Sequence, residues 1–312
     1  MSTPTLRVPG NLLLFGEYAV LEQGGLGIAC ALAPHVVARA ETGTGFTLDG
    51  RFGARSVGWS YGEEDDEGEL LPRAARFLAS ALEAREVDPG SLDIHVVIDS
   101  SDFVSPAGDK RGFGSSAAAT VALTEVVCRT AGISSEEERF ELAVRAHRAA
   151  QGGRGSGYDV AASFFGGIGV FRGGDTPEFE RVDPQWLPPL SLFETGAPAS
   201  TGHAVSRYAA WKISHPDEAT AFLSRSNSLV AALARAESWQ GARAIAADLT
   251  GLAIGLGQSI GVSAETRLLD PDGERLCKAV GAGAELFVCF GAASPEDDLV
   301  PVEVDRGGCL WT

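Results

Sequence analysis

Gly108-Asp-Lys-Arg-Gly-Phe-Gly-Ser-Ser-Ala-Ala-Ala-Thr120 is the stretch on which the reading of this chain turns. Gly112 and Gly114, one residue apart, allow backbone angles closed to other residues. Ser115 or Ser116 stands where a cap is expected, Ala117 to Cys128 continues as a helix, and Gly132 lies past its end. A glycine turn feeding a helix N-terminus gathers free N–H groups and the positive end of the helix dipole, with Lys110 and Arg111 beside them. That is the chemistry of an anion cradle, most simply a phosphate site. A tight turn with an ordinary serine cap has the same pattern, so both readings stay open on shape alone. The stretch is not a Walker loop, because no Gly-Lys-Ser/Thr ends it, and it lacks the third glycine of a dinucleotide fingerprint.

At 312 residues the chain has room for two domains, and 45% hydrophobic with 21% charged residues describes a folded protein. A net charge of −17 argues against nucleic-acid or anionic-membrane partners, which are held by clustered cations. Of 25 basic residues only Lys110, Lys212 and Lys278 are lysines, so each is worth locating. Five scattered cysteines without Cys-x-x-Cys spacing read as buried apolar side chains in a reducing compartment, not as a disulfide or zinc framework. The N-terminal stretch has no secretory apolar region, and no run reaches the ~18 apolar residues of a membrane span. A cytoplasmic protein is expected.

Taken in order, Leu6–Val8 and Leu12–Phe15 read as short strands about a Pro9-Gly10 bend, and Ile28–Leu32 and His35–Ala40 as two more. The acidic run Glu63–Glu69 reads as a solvated loop. Leu71, Ala74, Ala75, Leu78 and Leu82 mark a helix over Leu70–Val87, and Leu92–Ile98 reads as a strand. Ser134-Ser-Glu-Glu137 forms a capping box before a helix whose apolar stripe includes His147, read as a core histidine. Four glycines then precede Asp159, which is either a favourable charge at a helix start or a working carboxylate. Gly166–Arg172 reads as a strand and the polar tract Gly173–Asp183 as a linker, giving domains 1–183 and 184–312. Leu190–Glu194 reads as a strand, Ser200 and Thr201 as hydroxyl donors or a cap, Asp217–Gln240 and Gly241–Gly257 as helices, and Val302–Val304 as the last strand. Periodicity alone supports an α/β or α+β protein of two domains.

The wider pattern is more specific. Gly112-Phe-Gly-Ser-Ser-Ala-Ala118, preceded by Pro9-Gly-Asn-Leu-Leu-Leu-Phe-Gly-Glu-Tyr-Ala-Val-Leu21, resembles the first two motifs of the GHMP kinases, a family of small-molecule kinases. Ala146-His-Arg-Ala-Ala-Gln-Gly152 with Gly155-Ser-Gly-Tyr-Asp-Val-Ala-Ala162, and the segment through Ala199-Ser-Thr201, resemble the phosphomevalonate kinase branch. Lys278-Ala-Val-Gly-Ala-Gly283 onward to Gly291 is similar to the third motif, with Ala284 and Glu285 where glycines are usual.

This resemblance implies a two-domain fold, α/β and α+β, with the active site in the cleft between domains. It implies ATP and Mg²⁺, with Gly112, Phe113, Gly114, Ser115, Ser116 and Ala117 around the ATP phosphates and Ser116 also on the metal. Asp159 is the implied base and Lys110 the implied neutralising charge. Asn11, Glu17, Tyr18, Ser156, Gly157, Ser200 and Thr201 are the implied substrate contacts. Two departures stand out: Asn11 occupies a position where the family has a lysine, and Arg148, eleven residues before Asp159, replaces the magnesium-binding glutamate of mevalonate kinases. The implied reaction is ATP-dependent phosphorylation of phosphomevalonate by a monomer or homodimer. Mevalonate or another acceptor, and a catalytically silent nucleotide- or metabolite-binding homologue, are the alternatives.

Overall fold

Two long strands open the chain where the sequence suggests four short ones. The computed structural model describes residues 4–63, 68–105, 108–194, 201–262, 275–281, 286–292 and 299–312. Its elements are β1 (Thr5–Phe15), β2 (Leu26–Thr42), β3 (Phe46–Phe52), β4 (Arg55–Ser60), α1 (Leu70–Glu83), β5 (Ile94–Asp99), α2 (Ser115–Thr130), α3 (Glu136–Ala150) and α4 (Tyr158–Phe165). There follow β6 (Ile168–Arg172), β7 (Glu178–Val182), β8 (Leu190–Glu194), α5 (Thr201–Ser214), α6 (Pro216–Ala234), α7 (Trp239–Ser259), β9 (Leu276–Ala279), β10 (Leu286–Phe290), β11 (Val300–Val302) and β12 (Leu310–Trp311). The chain divides into two compact units, both discontinuous in sequence: residues 1–11, 31–166 and 305–312 form one, residues 12–30 and 167–304 the other.

In the first unit the strands run in the order β12-β1-β2-β5-β3-β4. β3 lies parallel to β5 from Phe46 opposite Ile94 to Arg51 opposite Asp99, and antiparallel to β4. The stripe expected on α1 is buried as its spacing requires, with Leu78 and Leu82 almost wholly covered. α2 is buried on every side from Ala117 to Cys128, the pattern of a helix at the centre of a layer rather than on its surface. The burial extends to Glu125, 1% exposed, whose carboxylate accepts from Arg139 Nε at 2.7 Å and Arg129 Nε at 2.9 Å. A buried carboxylate without such partners would cost several kcal/mol, on the order of 3–5. The cap of α3 is Ser135, whose Oγ accepts from Glu138 N at 3.2 Å, one residue later than the sequence suggests.

The second unit contains a four-stranded antiparallel sheet in the order β11-β8-β10-β9 and the β6–β7 hairpin, with β6 against residues 26–30 of β2. The tract read as a linker therefore holds a strand. Phe179 of β7 lies over Gly169, where any side chain would meet its ring. Phe290 stacks on Phe15 at 5.0 Å and on Trp239 at 5.6 Å, and Trp186 is fully buried against Phe15. A second cluster joins Tyr18, Tyr208, Phe222, Leu256 and Ile260. Cys277 and Cys289 form a disulfide with an S–S distance of 2.06 Å, contrary to the reading of all five cysteines as thiols. The antiparallel register of β9 and β10 sets the two residues opposite one another, which their spacing of 12 does not reveal. Among the described residues no helix is long and apolar enough to cross a membrane.

Candidate active site

The glycine turn is built from β1 and the start of α2. Arg111 N donates to Phe103 O at 3.0 Å, and a bridge pairs Lys110 with Val104, which brings the chain to the turn along a short antiparallel contact. Lys110 is exposed there, and the Arg111 guanidinium lies 4.8 Å from the centre of the Phe113 ring. The residue that begins α2 is Gly114, in the left-handed conformation at φ 71° and ψ 32°, and no side chain caps the helix. The expected serine cap is thus a glycine cap. A side chain at Gly114 would strain the backbone and collide with the amide of Asn11. Because the first helical bond runs from Ala118 N to Gly114 O, the N–H groups of Ser115, Ser116 and Ala117 are the open donors of the helix end. Ser115 is buried and Ser116 half-buried.

Asn11 holds this turn from below. Its backbone N donates to Phe113 O at 3.0 Å, and its Nδ2 donates to Gly114 O at 3.2 Å and to Ser163 Oγ at 3.0 Å. Ser163 lies one turn beyond Asp159 on α4, so a single buried amide joins the glycine turn to the helix of the carboxylate.

Asp159 sits in the first turn of α4, whose N-cap Gly157 is at φ 93°. Its Oδ1 accepts from Val160 N at 2.9 Å, and its side chain is 23% exposed. The preceding glycine tract is gripped by Arg148, whose Nε donates to Gly155 O at 3.0 Å and Nη2 to Ser156 O at 2.8 Å. Arg148 therefore shapes the approach to Asp159, and its guanidinium is directed at carbonyls. Ser156 is buried, and its Oγ accepts from Tyr158 N at 3.4 Å.

The remaining implied contacts belong to the second unit. Glu17 is 5% exposed and its carboxylate takes the ammonium of Lys278, which also donates to Ala279 O at 2.9 Å and lies over the Phe15 ring. Tyr18 adopts φ 64° and packs on Tyr208 at 5.4 Å between ring centres. Burial, with Glu17 adding to it, pushes the Tyr18 hydroxyl up to about 12. Lys212 donates to both oxygens of Glu22, at 2.8 and 2.9 Å. Two of the three lysines are thus committed to carboxylates within this unit, and Lys110 alone stands beside the glycine turn. Ser200 and the segment 282–285 lie outside the described residues, and Thr201 opens α5.

Residues 69–167 match the sequence profile of the family described as GHMP kinases N terminal domain. The matched stretch is about a third of the chain. It contains the glycine turn and Asp159. A curated phosphomevalonate kinase of Streptomyces sp. (strain CL190) is 33% identical over 177 residues, 52% of this chain and 47% of the relative, so the chain spans about half the length of that protein in the match. Among solved structures, the Lin0012 protein of Listeria innocua superposes with a TM-score of 0.84 at 22% identity, covering 100% of this chain and 99% of that one. Streptococcus pneumoniae phosphomevalonate kinase in complex with phosphomevalonate and AMPPNP superposes with a TM-score of 0.75 at 16% identity, covering 93% of this chain and 92% of that one. At these identities the likeness establishes the mixed α/β GHMP kinase fold. Within the domain, sequence motifs mark Gly112, Gly114 and Asp159. They do not mark Ser163, for which a spacing of one helical turn from Asp159 is the signal available, whereas Gln151 falls inside the Ala146–Gly152 motif with no role attached to it.

Proposed function

We propose that this chain is an ATP-dependent phosphotransferase whose acceptor is the phosphate group of phosphomevalonate. The observation that carries the reading is the Asn11 amide, which ties an open helix N-terminus suited to phosphate to the helix that presents a half-open carboxylate. The curated relative supports the choice of acceptor.

Phosphoryl transfer asks a protein mainly for positioning and charge neutralisation. In this reading the N–H groups of Ser115, Ser116 and Ala117 bind ATP phosphate oxygens, with Gly112, Phe113 and Gly114 shaping the turn. The donor set there, one hydroxyl and main-chain N–H groups, suits phosphates carrying their own cation rather than an all-protein metal cage, and among the described residues no cluster of three or more acidic, cysteine or histidine side chains is present. Bound Mg²⁺ supplies charge neutralisation, and the Ser116 hydroxyl is its proposed protein ligand. Lys110 neutralises charge on a phosphate at the turn. Asp159 orients the acceptor oxygen; an acceptor phosphate with a second pKa of about 6 is largely ionised at neutral pH and needs little deprotonation. Ser156, Gly157, Tyr18, Ser200 and Thr201 are the proposed acceptor contacts, whereas Glu17 serves Lys278. A cytoplasmic monomer or homodimer belongs to the same reading.

Mevalonate is the weaker acceptor, because Arg148, bound to two carbonyls, stands where mevalonate kinases resembling this chain use a magnesium-binding glutamate. ATP consumption measured with phosphomevalonate, with mevalonate and with no acceptor separates these readings. Turnover dependent on phosphomevalonate supports the proposal. Equal consumption under all three conditions removes the acceptor assignment, and none under any removes the kinase reading.

A further inference from the structure

Asp159 has a neighbour with no part in the proposed transfer. His147, in the last turn of α3, has a side chain 3% exposed, and its Nδ1 lies 3.7 Å from Asp159 Oδ2. The other ring nitrogen, Nε2, is 2.8 Å from Gln151 Nε2, one helical turn further on. An amide nitrogen only donates, so His147 Nε2 accepts this bond. A neutral imidazole whose Nε2 accepts carries its proton on Nδ1, the nitrogen that faces the carboxylate. Asp159 Oδ1 is meanwhile occupied by Val160 N. The two carboxylate oxygens are therefore addressed from opposite sources, one by its own helix and one by α3.

We infer that His147 is a positioning residue for Asp159. Gln151 fixes the tautomer of the imidazole, Nδ1–H orients Oδ2, and the exposed side of the carboxylate is left for the acceptor. No proton changes hands in this arrangement. A separation of 3.7 Å is longer than a hydrogen bond, and contacts of this kind in ligand-free sites shorten when the reacting complex forms. A histidine placed only for packing would find both ring nitrogens partners within the core; here the second partner is the group proposed to orient the acceptor. The catalytic consequence rests on the phosphotransferase reading, while the placement of the imidazole does not.

Three substitutions separate positioning from packing. His147→Asn keeps an amide N–H near the place of Nδ1, His147→Gln moves it to the side of Nε2, and His147→Phe fills the volume with neither. The expected result is a kcat lowered about 10- to 100-fold in His147→Phe and His147→Gln and largely restored in His147→Asn, the scale of a misplaced reacting group. The KM for ATP should stay within about twofold throughout, since the lost interaction belongs to the acceptor side. Parent-like kcat in His147→Phe, or His147→Asn no better than His147→Phe, overturns the inference.

The parent chain offers a test that needs no turnover and no buried substitution. Nitrogen-15 NMR of the histidine rings should find His147 as the Nδ1–H tautomer, with an Nδ1 resonance that moves in Asp159→Asn. An Nε2–H tautomer, or an Nδ1 resonance indifferent to Asp159→Asn, contradicts the inference. Failure of the parent to transfer phosphate to any acceptor would instead strike the phosphotransferase reading, with the tautomer still deciding the position of His147.

Discussion

Asn11 Nδ2 lies 3.0 Å from Ser163 Oγ, a buried hydrogen bond between residues 152 apart in the chain. The same nitrogen donates to Gly114 O, so one side chain fixes the glycine turn relative to α4. A resemblance that puts lysine at this position makes Asn11 look like a lost charge. In the fold it is a clamp.

Removing that clamp has a size. Asn11→Ala leaves Gly114 O and Ser163 Oγ without this donor, a loss of about 1–3 kcal/mol for buried groups. A lower midpoint of thermal unfolding and a raised KM for ATP are the expected outcome. An unchanged midpoint together with unchanged ATP kinetics would show that the turn holds itself.

Asp159→Asn keeps the shape of the side chain and removes its charge. On the proposed mechanism kcat falls by ~10²-fold or more while the KM for ATP changes little, because the carboxylate acts on the acceptor. Steady-state kinetics with phosphomevalonate varied at saturating Mg·ATP provides the comparison. A variant that turns over like its parent leaves Asp159 as a charge at the start of α4.

Lys110 is exposed beside the glycine turn, whereas Lys212 and Lys278 are held by Glu22 and Glu17. Lys110→Met removes the charge and retains most of the stem, so lost packing contributes little. If the ammonium meets a ground-state phosphate, the KM for ATP or acceptor rises at constant kcat; if it follows the transferred group, kcat falls. Parent-like values of all three constants would mean a solvated loop lysine.

The cysteines make a prediction independent of catalysis. Burial pushes the Cys30 and Cys128 thiols up from the ordinary 9.0 to about 12, with Glu125 adding to the effect at Cys128. Both are neutral in the folded protein and should resist alkylation at about pH 8, since the thiolate is the reactive form. Denaturation without reductant should expose three thiols, Cys30, Cys128 and Cys309, and reduction should release Cys277 and Cys289 as well. As pH rises from the ordinary thiol range toward 12, the unfolded chain gives up protons that the folded chain keeps, so stability should decline across that window. Five labelled thiols without reductant would contradict the disulfide.

These particulars show what local sequence can carry. The apolar stripes of α1 and α3, the buried alanine run of α2 and the glycine-flanked Asp159 were legible because each is decided by residues within a turn or two of one another. Strands were less so. Pro9-Gly10 and Pro34 look like breaks, yet β1 and β2 run through them, since pairing with distant strands outweighs local preference. β3 and β4 carry only weak alternation, and β3 is fixed by a parallel partner more than forty residues later in the chain, by the register of Phe46 with Ile94. At the site, glycine spacing marks the turn that opens α2 and the helix start that carries Asp159. The pairing of Asn11 with Ser163, and of His147 with Asp159, becomes visible only when separate elements are brought together.

A phosphorus-31 NMR spectrum of phosphomevalonate with Mg·ATP and catalytic amounts of the protein follows the proposed transfer itself. Phosphoryl transfer to this acceptor predicts that the phosphomonoester resonance is replaced by a pair of coupled diphosphate resonances as ADP appears, and that Asp159→Asn slows this conversion. A monoester resonance that persists unchanged beside intact ATP, with the protein folded, would contradict it.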